Sequence, residues 1–344
     1  MSRFLLSFTF LIFLPLSAFS FSFQSAGRNH IQIVGSSTVY PFTSVIAEEF
    51  GRNTKFKTPI VEATGTGGGF KLFCLGVGIN YPDFSNASRK IEESEMKKCY
   101  ENGVKGVVEI KIGYDGIVLA NSRLGKKYSL TKKQIFLALA MQVPDGKGSL
   151  INNPYQKWSD IDKNLPQINI AIYGPPTTSG TRDAFVELVM EEPCMEIVEY
   201  SKVFIDAKIR KKQCHLIRSD GKFIEAGEND NLIVQKLRND KDALGIFGFS
   251  FLEENGELLQ SSLIDEVTPS FANITSGAYP VSRPLFIYFK KEHLELIDGM
   301  REFVGEIASR DTIGKDGYLL QKGLIPLTEA EYKKVSLELK GVLN

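Results

Sequence analysis

An α/β protein with parallel strands, arranged as two lobes, is the fold this chain predicts, and three observations carry the prediction. Strand, loop and helix patterns alternate nearly throughout, which argues for parallel strands joined by crossover helices. At 344 residues the chain exceeds what one hydrophobic core usually organises. Three times, a strand pattern runs into glycine and hydroxyl residues from which an amphipathic helix opens: GSSTVYPF (Gly35 to Phe42) after Ile31 to Val34, TGTGGGF (Thr64 to Phe70) after Ile60 to Ala63, and SGTRDAF (Ser179 to Phe185).

From the N-terminus, residues 1–20 read as a secretory signal. Arg3 supplies the basic start, Phe4 to Leu16 the apolar core, and Ala18 with Ser20 a small-residue cleavage site. The apolar stretch is short, contains Pro15 and lacks a basic flank, so a cleaved signal is favoured over a membrane anchor. A soluble, exported mature chain is expected. Cleavage removes Arg3 and no acid, leaving 40 basic residues against 41 acidic instead of 41 against 41. That balance offers no basic field for nucleic acid.

The three glycine and hydroxyl loops are the main pointers to function. A helix start leaves about four N–H groups without intrahelical partners and carries about half a positive charge, so it attracts anions. Glycine lets the backbone approach a ligand, and a hydroxyl either caps the helix or turns to the ligand. Ordinary capping explains any one loop alone. It does not explain TGTGGG, with four glycines and two threonines, since each glycine costs about 1 kcal/mol of helix propensity relative to alanine. Converging, three such ends enclose a small oxyanion.

Further along, Phe42, Val45, Ile46 and Phe50 share a helical face after the first loop, and Phe185, Leu188 and Val189 share one after the third, which Pro193 is expected to end. Thr131 with Gln134, and Thr328 with Glu331, form capping boxes that start helices. Leu294, Ile297, Met300, Val304 and Ile307 mark another helix. Strands are expected at Val107 to Ile112, Ile117 to Ala120, Ile168 to Tyr173, Leu244 to Phe249 and Leu285 to Phe289. Pro144 to Trp158 and Lys208 to Asn231 read as long irregular segments. The four cysteines fall in two local pairs, Cys74 with Cys99 and Cys194 with Cys214. In an oxidising compartment two disulfides with that connectivity are expected, preferred over the other two pairings because each joins a single lobe. No CxxC occurs, and His30, His215 and His293 are scattered, so no metal site is expected.

Together GSSTVYPF, TGTGGGFKLFC, DFSNASR, GYDGIVLANS, SGTRDAF and SGAYPVSRPLFIYFKK resemble the periplasmic phosphate-binding proteins that serve ABC-type phosphate importers. The ordered match runs from about Ile31 to Lys291. The resemblance implies a two-lobe periplasmic-binding-protein fold, with a mainly parallel sheet in each lobe and two crossover hinge strands near Gly113 to Ile117 and Ser276 to Pro284. Lobe 1 would comprise 25–112 plus 280–344, and lobe 2 would comprise 113–279. The resemblance assigns phosphate contacts to Ser37, Thr38, Thr66, Gly67, Ser88, Ser179, Gly180 and Thr181. Arg182 is expected to make a charge-assisted contact rather than a surface pair with Asp183 or Glu187; Arg89 is divided evenly between pocket and surface.

One position departs from the family: Arg89 stands where better-known relatives carry an aspartate after the serine. A carboxylate there accepts the proton of phosphate and repels fully ionised sulfate. Asp83 or Asp115 would have to supply that acceptor here, although Asp115 also reads as a turn residue. The implied protein is no enzyme and needs no cofactor. It is expected to act as a monomer whose partners are inorganic phosphate and the membrane permease of an ABC importer. Competing readings are an exported binder of another tetrahedral oxyanion, a binder that stores or senses phosphate without feeding a transporter, and a secreted phosphohydrolase. The last lacks GxSxG and a histidine cluster. A dinucleotide site is disfavoured because Phe70 holds the third glycine position of GxGxxG.

Overall fold

The structure, a computed structural model, describes residues 28–227 and 230–343. The expected signal segment, 1–20, lies outside the described residues. Thirteen strands are formed among them: β1 (Gln32–Gly35), β2 (Ile60–Ala63), β3 (Phe84–Ala87), β4 (Val107–Ser122), β5 (Ser129–Leu130), β6 (Gln142–Pro144), β7 (Leu150–Asn152), β8 (Ile172–Gly174), β9 (Phe223–Glu225), β10 (Leu244–Gly248), β11 (Leu259–Ser261), β12 (Leu263–Ile264) and β13 (Ser282–Lys290). Nine join one sheet in the order β2-β1-β3-β13-β4-β10-β8-β9, with β11 also on β4.

The two ends of this sheet are parallel and its middle is antiparallel. β1 pairs in parallel with β2 and β3, and β8 does so with β10 and β9. Between them lies β4, 16 residues long. Its residues from Val107 to Gly116 pair antiparallel with β13, and Ile117 to Ser122 pair with β10 and β11. One strand thus serves both units. The sequence pattern breaks it into two strands at Gly113–Gly116, because glycine and aspartate interrupt the apolar run; the structure keeps it as one strand, with those residues paired to β13 beyond a register shift at Ile112.

On the β1 side, α1 (Tyr40–Asn53) buries Phe42, Ile46 and Phe50 as the 3.6-residue spacing predicts. Phe50 and Phe84 each meet Phe303 edge to face, with ring centroids 5.1 Å and 5.3 Å apart. Also on this side are α2 (Thr66–Phe73) and α3 (Glu93–Glu101), linked through the Cys74–Cys99 disulfide at their C-terminal ends. The other unit is built on α4 (Lys132–Leu139), α5 (Trp158–Ile161) and α6 (Gly180–Phe185). Its core buries Phe136, Trp158, Phe185 and Tyr200, and Cys194–Cys214 closes its second disulfide. Both expected pairings are formed. So are both capping boxes, Thr131 with Gln134 and Thr328 with Glu331.

Besides the merged strand, further expectations differ: β7 lies inside Pro144 to Trp158, and the strand expected at Ile168 to Tyr173 forms only from Ile172. Pro193 does not end the helix after the third loop: a π turn over Val186–Met190 is followed by Glu191–Glu196. The wider turn resets the hydrogen-bond ladder, so the proline falls in the first turn of the next segment, where a missing N–H costs little. The helix expected from Leu294 starts only at Met300, after Gly299 at φ 79°. Finally, the segment from Lys208 to Asn231 contains the helix Ala207–Cys214 and strand β9 among its described residues.

Candidate functional site

The hydroxyls of the first loop do not cap the helix they precede. The N-cap of α1 is Val39, with no side-chain cap bond. Ser37 Oγ instead donates to Asp183 Oδ2 at 2.8 Å, and Thr38 Oγ1 accepts from Arg283 Nη2 at 2.8 Å. Asp183 lies in α6, so the first loop reaches across to the third. Gly180 shows how closely: a Cβ there would stand 3.2 Å from the Ser37 carbonyl oxygen and from Thr38 Cα. A side chain at 180 would push the two helix starts apart. In the third loop Ser179 does act as a cap, its Oγ accepting from Thr181 N at 3.2 Å.

These two loops wall a cavity of about 500 Å³, to which Ser37, Thr38, Ser179, Gly180 and Thr181 all contribute. Asp115 from β4, Asp230, Phe251 and Lys322 complete much of the rest. The cavity thus lies where β4 crosses between the two units. Two helix starts supply partial positive charge to it, and hydroxyls and glycine backbone supply donors.

The second loop stands beside this cavity. Ala63, at the end of β2, lines it, but Thr66, Gly67 and Ser88 are not among the lining residues. Thr66 Oγ1 accepts from Ser88 N at 3.2 Å and lies 3.1 Å from Ser88 Oγ. Two of the four glycines have reasons apart from a ligand, one conformational and one of packing. Gly65 has φ 74°, and a Cβ on Gly69 would come within 2.5 Å of Gly35 Cα. Gly67 has open space, its nearest neighbour being Arg89 Nη2 at 3.9 Å from a built Cβ.

Arg182 is placed differently from the sequence expectation, and Arg89 takes the surface side of its two readings. Arg182 is buried behind the third loop, its guanidinium 4.4 Å from the centroid of Phe223 and its Nη1 donating to the Pro175 carbonyl at 3.2 Å. Burial pushes its pKa down against the nearby Glu225 and Asp183 carboxylates. It does not line the cavity. Arg89 is bidentate to Glu95 on α3, with both bonds at 2.8 Å, and is partly exposed. A cation that the motifs did not offer, Arg283, stands on β13 opposite Asp115 in the β4 register; like Arg182 it is not part of the cavity lining, to which Lys322 belongs, and it reaches the wall through Thr38 and Asp115. It contacts Thr38, donates to Glu187 Oε2 at 2.6 Å, and holds Nε 3.8 Å from Asp115 Oδ2. The available signal was a charge inside an otherwise apolar strand pattern, SRPLFIYF.

The two candidate acceptors also separate. Asp83 is fully buried and accepts from Arg28 Nη2 at 2.6 Å, from His293 Nδ1 at 2.6 Å and from Gln32 N at 2.8 Å. It ties the first strand to β13's far end and does not reach the cavity. Asp115 lines the cavity, and its Oδ2 is buried without a hydrogen-bond partner. Burial pushes its pKa up; Glu187 adds to the rise and Arg283 opposes it.

An α/β molecule of two units, with crossing strands between them and helix starts facing a central cavity, is the architecture of a two-lobe solute receptor. Residues 23–311 match the model described as a PBP superfamily domain, and the chain belongs to that superfamily. The SphX protein of Synechococcus elongatus is 30% identical over 292 residues, covering 82% of this chain and 75% of its own. SphX of Synechocystis is 32% identical, covering 88% and 80%. A protein named phosphate-binding protein PstS from Staphylococcus saprophyticus is 28% identical, covering 92% and 86%. Among solved structures, a possible phosphate binding protein from Planctomyces limnophilus is 28% identical with a TM-score of 0.71, covering 92% of this chain and 99% of that one. The family resemblance read from the motifs agrees with these relatives.

Proposed function

We propose that the protein is an exported receptor that binds inorganic phosphate in the cavity between its two units and delivers it to the permease of an ABC importer. One observation carries the reading. The Ser37 and Thr38 hydroxyls are released from capping α1 and brought against the Gly180 start of α6, so that donors from separated parts of the chain face one cavity. The names of the relatives supply the ligand: one is called a phosphate-binding protein and one a possible phosphate binding protein. Capture involves no covalent chemistry. Thr38, Ser179, Gly180 and Thr181 supply neutral donors, Ser37 joins them by turning its O–H from Asp183 to the anion, and Arg283 supplies the charge behind Thr38. Asp115 is the proposed acceptor for the phosphate proton. Thr66, Gly67 and Ser88 join the site if the second loop moves inward on closure. Closure excludes water and strengthens each donor's hold on the anion.

The same reading makes residues 1–20 a signal peptide, sets the lobes at 25–112 plus 280–344 and at 113–279, and takes the working form as a monomer. Calorimetric titration of the chain lacking residues 1–20 with phosphate, arsenate, sulfate and molybdate in parallel tests it. Saturable one-to-one binding of phosphate, with sulfate much weaker, is the expected outcome. No heat from phosphate at millimolar concentration, or a preference for sulfate or molybdate, overturns the assignment.

A further inference from the structure

A carboxylate facing an anion is an electrostatic conflict, and this cavity contains two. Asp115 is joined by Asp230, the first residue of the helix Asp230–Asn239. Asp230 is 7% exposed, lines the same cavity, and among the described residues accepts one hydrogen bond, from Gly248 N to Oδ2 at 3.2 Å. Among the described residues no cation pairs with it. At Asp115 the orphaned acceptor Oδ2 lies 3.8 Å from Arg283 Nε, which is itself buried and without a partner. That separation is too long for a hydrogen bond. A buried donor and a buried acceptor therefore stand side by side, each lacking what the other could give.

A ligand that presents both a bare oxygen and a hydroxyl satisfies both groups. Helix starts, hydroxyls and Arg283 serve the bare oxygens, and each ionised carboxylate takes one O–H. Resting on the phosphate reading above, we infer that Asp115 and Asp230 act as a pair that counts the protons of the bound oxyanion, making dihydrogen phosphate the preferred species. A single acceptor would serve hydrogen phosphate equally well; a second rewards a second hydroxyl. Sulfate, with no proton near neutral pH, meets two unrelieved repulsions.

The charged groups around the pair set the pH dependence. Asp115 faces Arg283, Glu187 and the N–H of Gly116, and its charge acts on Asp230. Asp230 faces Asp115 and the N–H of Gly248, with Lys322 elsewhere on the cavity wall. Burial, with a contribution from Asp115, pushes Asp230 up to about 6. Above the second ionisation of phosphate, near neutrality, binding must draw a proton from the buffer. Below about 6, where Asp230 is already protonated in the free protein, binding must release one. Affinity is therefore greatest between those limits.

The experiment is calorimetry of inorganic phosphate binding to the mature protein from about pH 5.5 to about pH 8.5, repeated in buffers of different ionisation enthalpy. Uptake approaching one proton per phosphate is expected at the alkaline end, with affinity falling about tenfold per pH unit there. Asp230→Asn should abolish that uptake, flatten the profile and narrow the phosphate-to-sulfate ratio at least tenfold. Wild-type binding without proton uptake, or an Asp230→Asn protein that keeps both the uptake and the ratio, overturns the inference. Phosphate that fails to bind at any pH defeats the phosphate reading itself, which is a different result.

Discussion

Asp83 stands immediately before β3 and Asp115 within β4, and the sequence offered them as equal candidates for one acceptor. Asp83 has three donors, from Arg28, Gln32 and His293. Asp115 leaves a buried oxygen without one. A buried carboxylate whose bonds are complete is scaffold, because nothing remains to offer a ligand. One with a buried unpaired oxygen on a cavity wall bears a desolvation cost that only an incoming donor relieves. Satisfaction, more than burial, separates framework from site.

The contrast is easiest to break at Asp83. Asp83→Ala leaves Arg28 and His293 buried without their acceptor and should cost about 3–5 kcal/mol of stability, read from urea unfolding. Phosphate affinity of the folded fraction should stay near wild type. A variant as stable as wild type but impaired in binding would place Asp83 in the site after all.

Arg283 stands on the other side of the comparison. A hydrogen bond to a charged group contributes about 1.5–3 kcal/mol, so Arg283→Ala should weaken phosphate binding between about tenfold and about hundredfold by calorimetry. Arg182 sharpens the same test. Its guanidinium packs on Phe223, so Arg182→Ala should lower stability by about 1–2 kcal/mol through lost packing, with a smaller effect on affinity than Arg283→Ala. The reverse order of affinities would return the charge-assisted contact to Arg182.

A further test concerns Lys290 beside Asp83. Its Nζ donates to the Gly76 carbonyl at 2.7 Å, between the rings of Phe73 and Tyr81. Burial pushes its pKa down to about 7, against the pull of Asp83. An unfolded chain keeps this proton up to the ordinary 10.5, so between about 7 and 10.5 the unfolded state binds more protons. Stability should therefore rise with pH across that window. Lys290→Met should flatten the rise, as measured by urea midpoints at the two ends; an unchanged slope would show that other groups produce it.

What the sequence displayed and what it hid follow one physical line. Local signals were legible: the strand-to-helix loops, the Thr131 and Thr328 capping boxes, and disulfides between cysteines 25 and 20 residues apart. The division between Asp83 and Asp115 was not. Asp83's partners lie 51, 55 and 210 positions away, and no local pattern reports them. Arg283 was hidden for the same reason, since only the antiparallel register of β13 on β4 sets it opposite Asp115. The glycines of the second loop were half understood: ligand approach was invoked for all four, whereas the close packing of Gly69 on Gly35 accounts for one and the positive φ of Gly65 for another.

Gly113 admits one more part of the chain to the crossing strands. A Cβ there would lie 2.6 Å from the carbonyl oxygen of Ile325, and the next residue, Tyr114, exchanges backbone hydrogen bonds with Ile325 at 2.8 Å and 3.0 Å. Glu331 then grips both Lys111 and the Tyr114 hydroxyl, at 2.7 Å and 2.5 Å. The tail is thus bolted to the axle about which one unit would turn against the other. Shortening the chain before Ile325 would remove that brake, so residues after Lys322, which are not part of the cavity wall, would govern how freely the jaws swing.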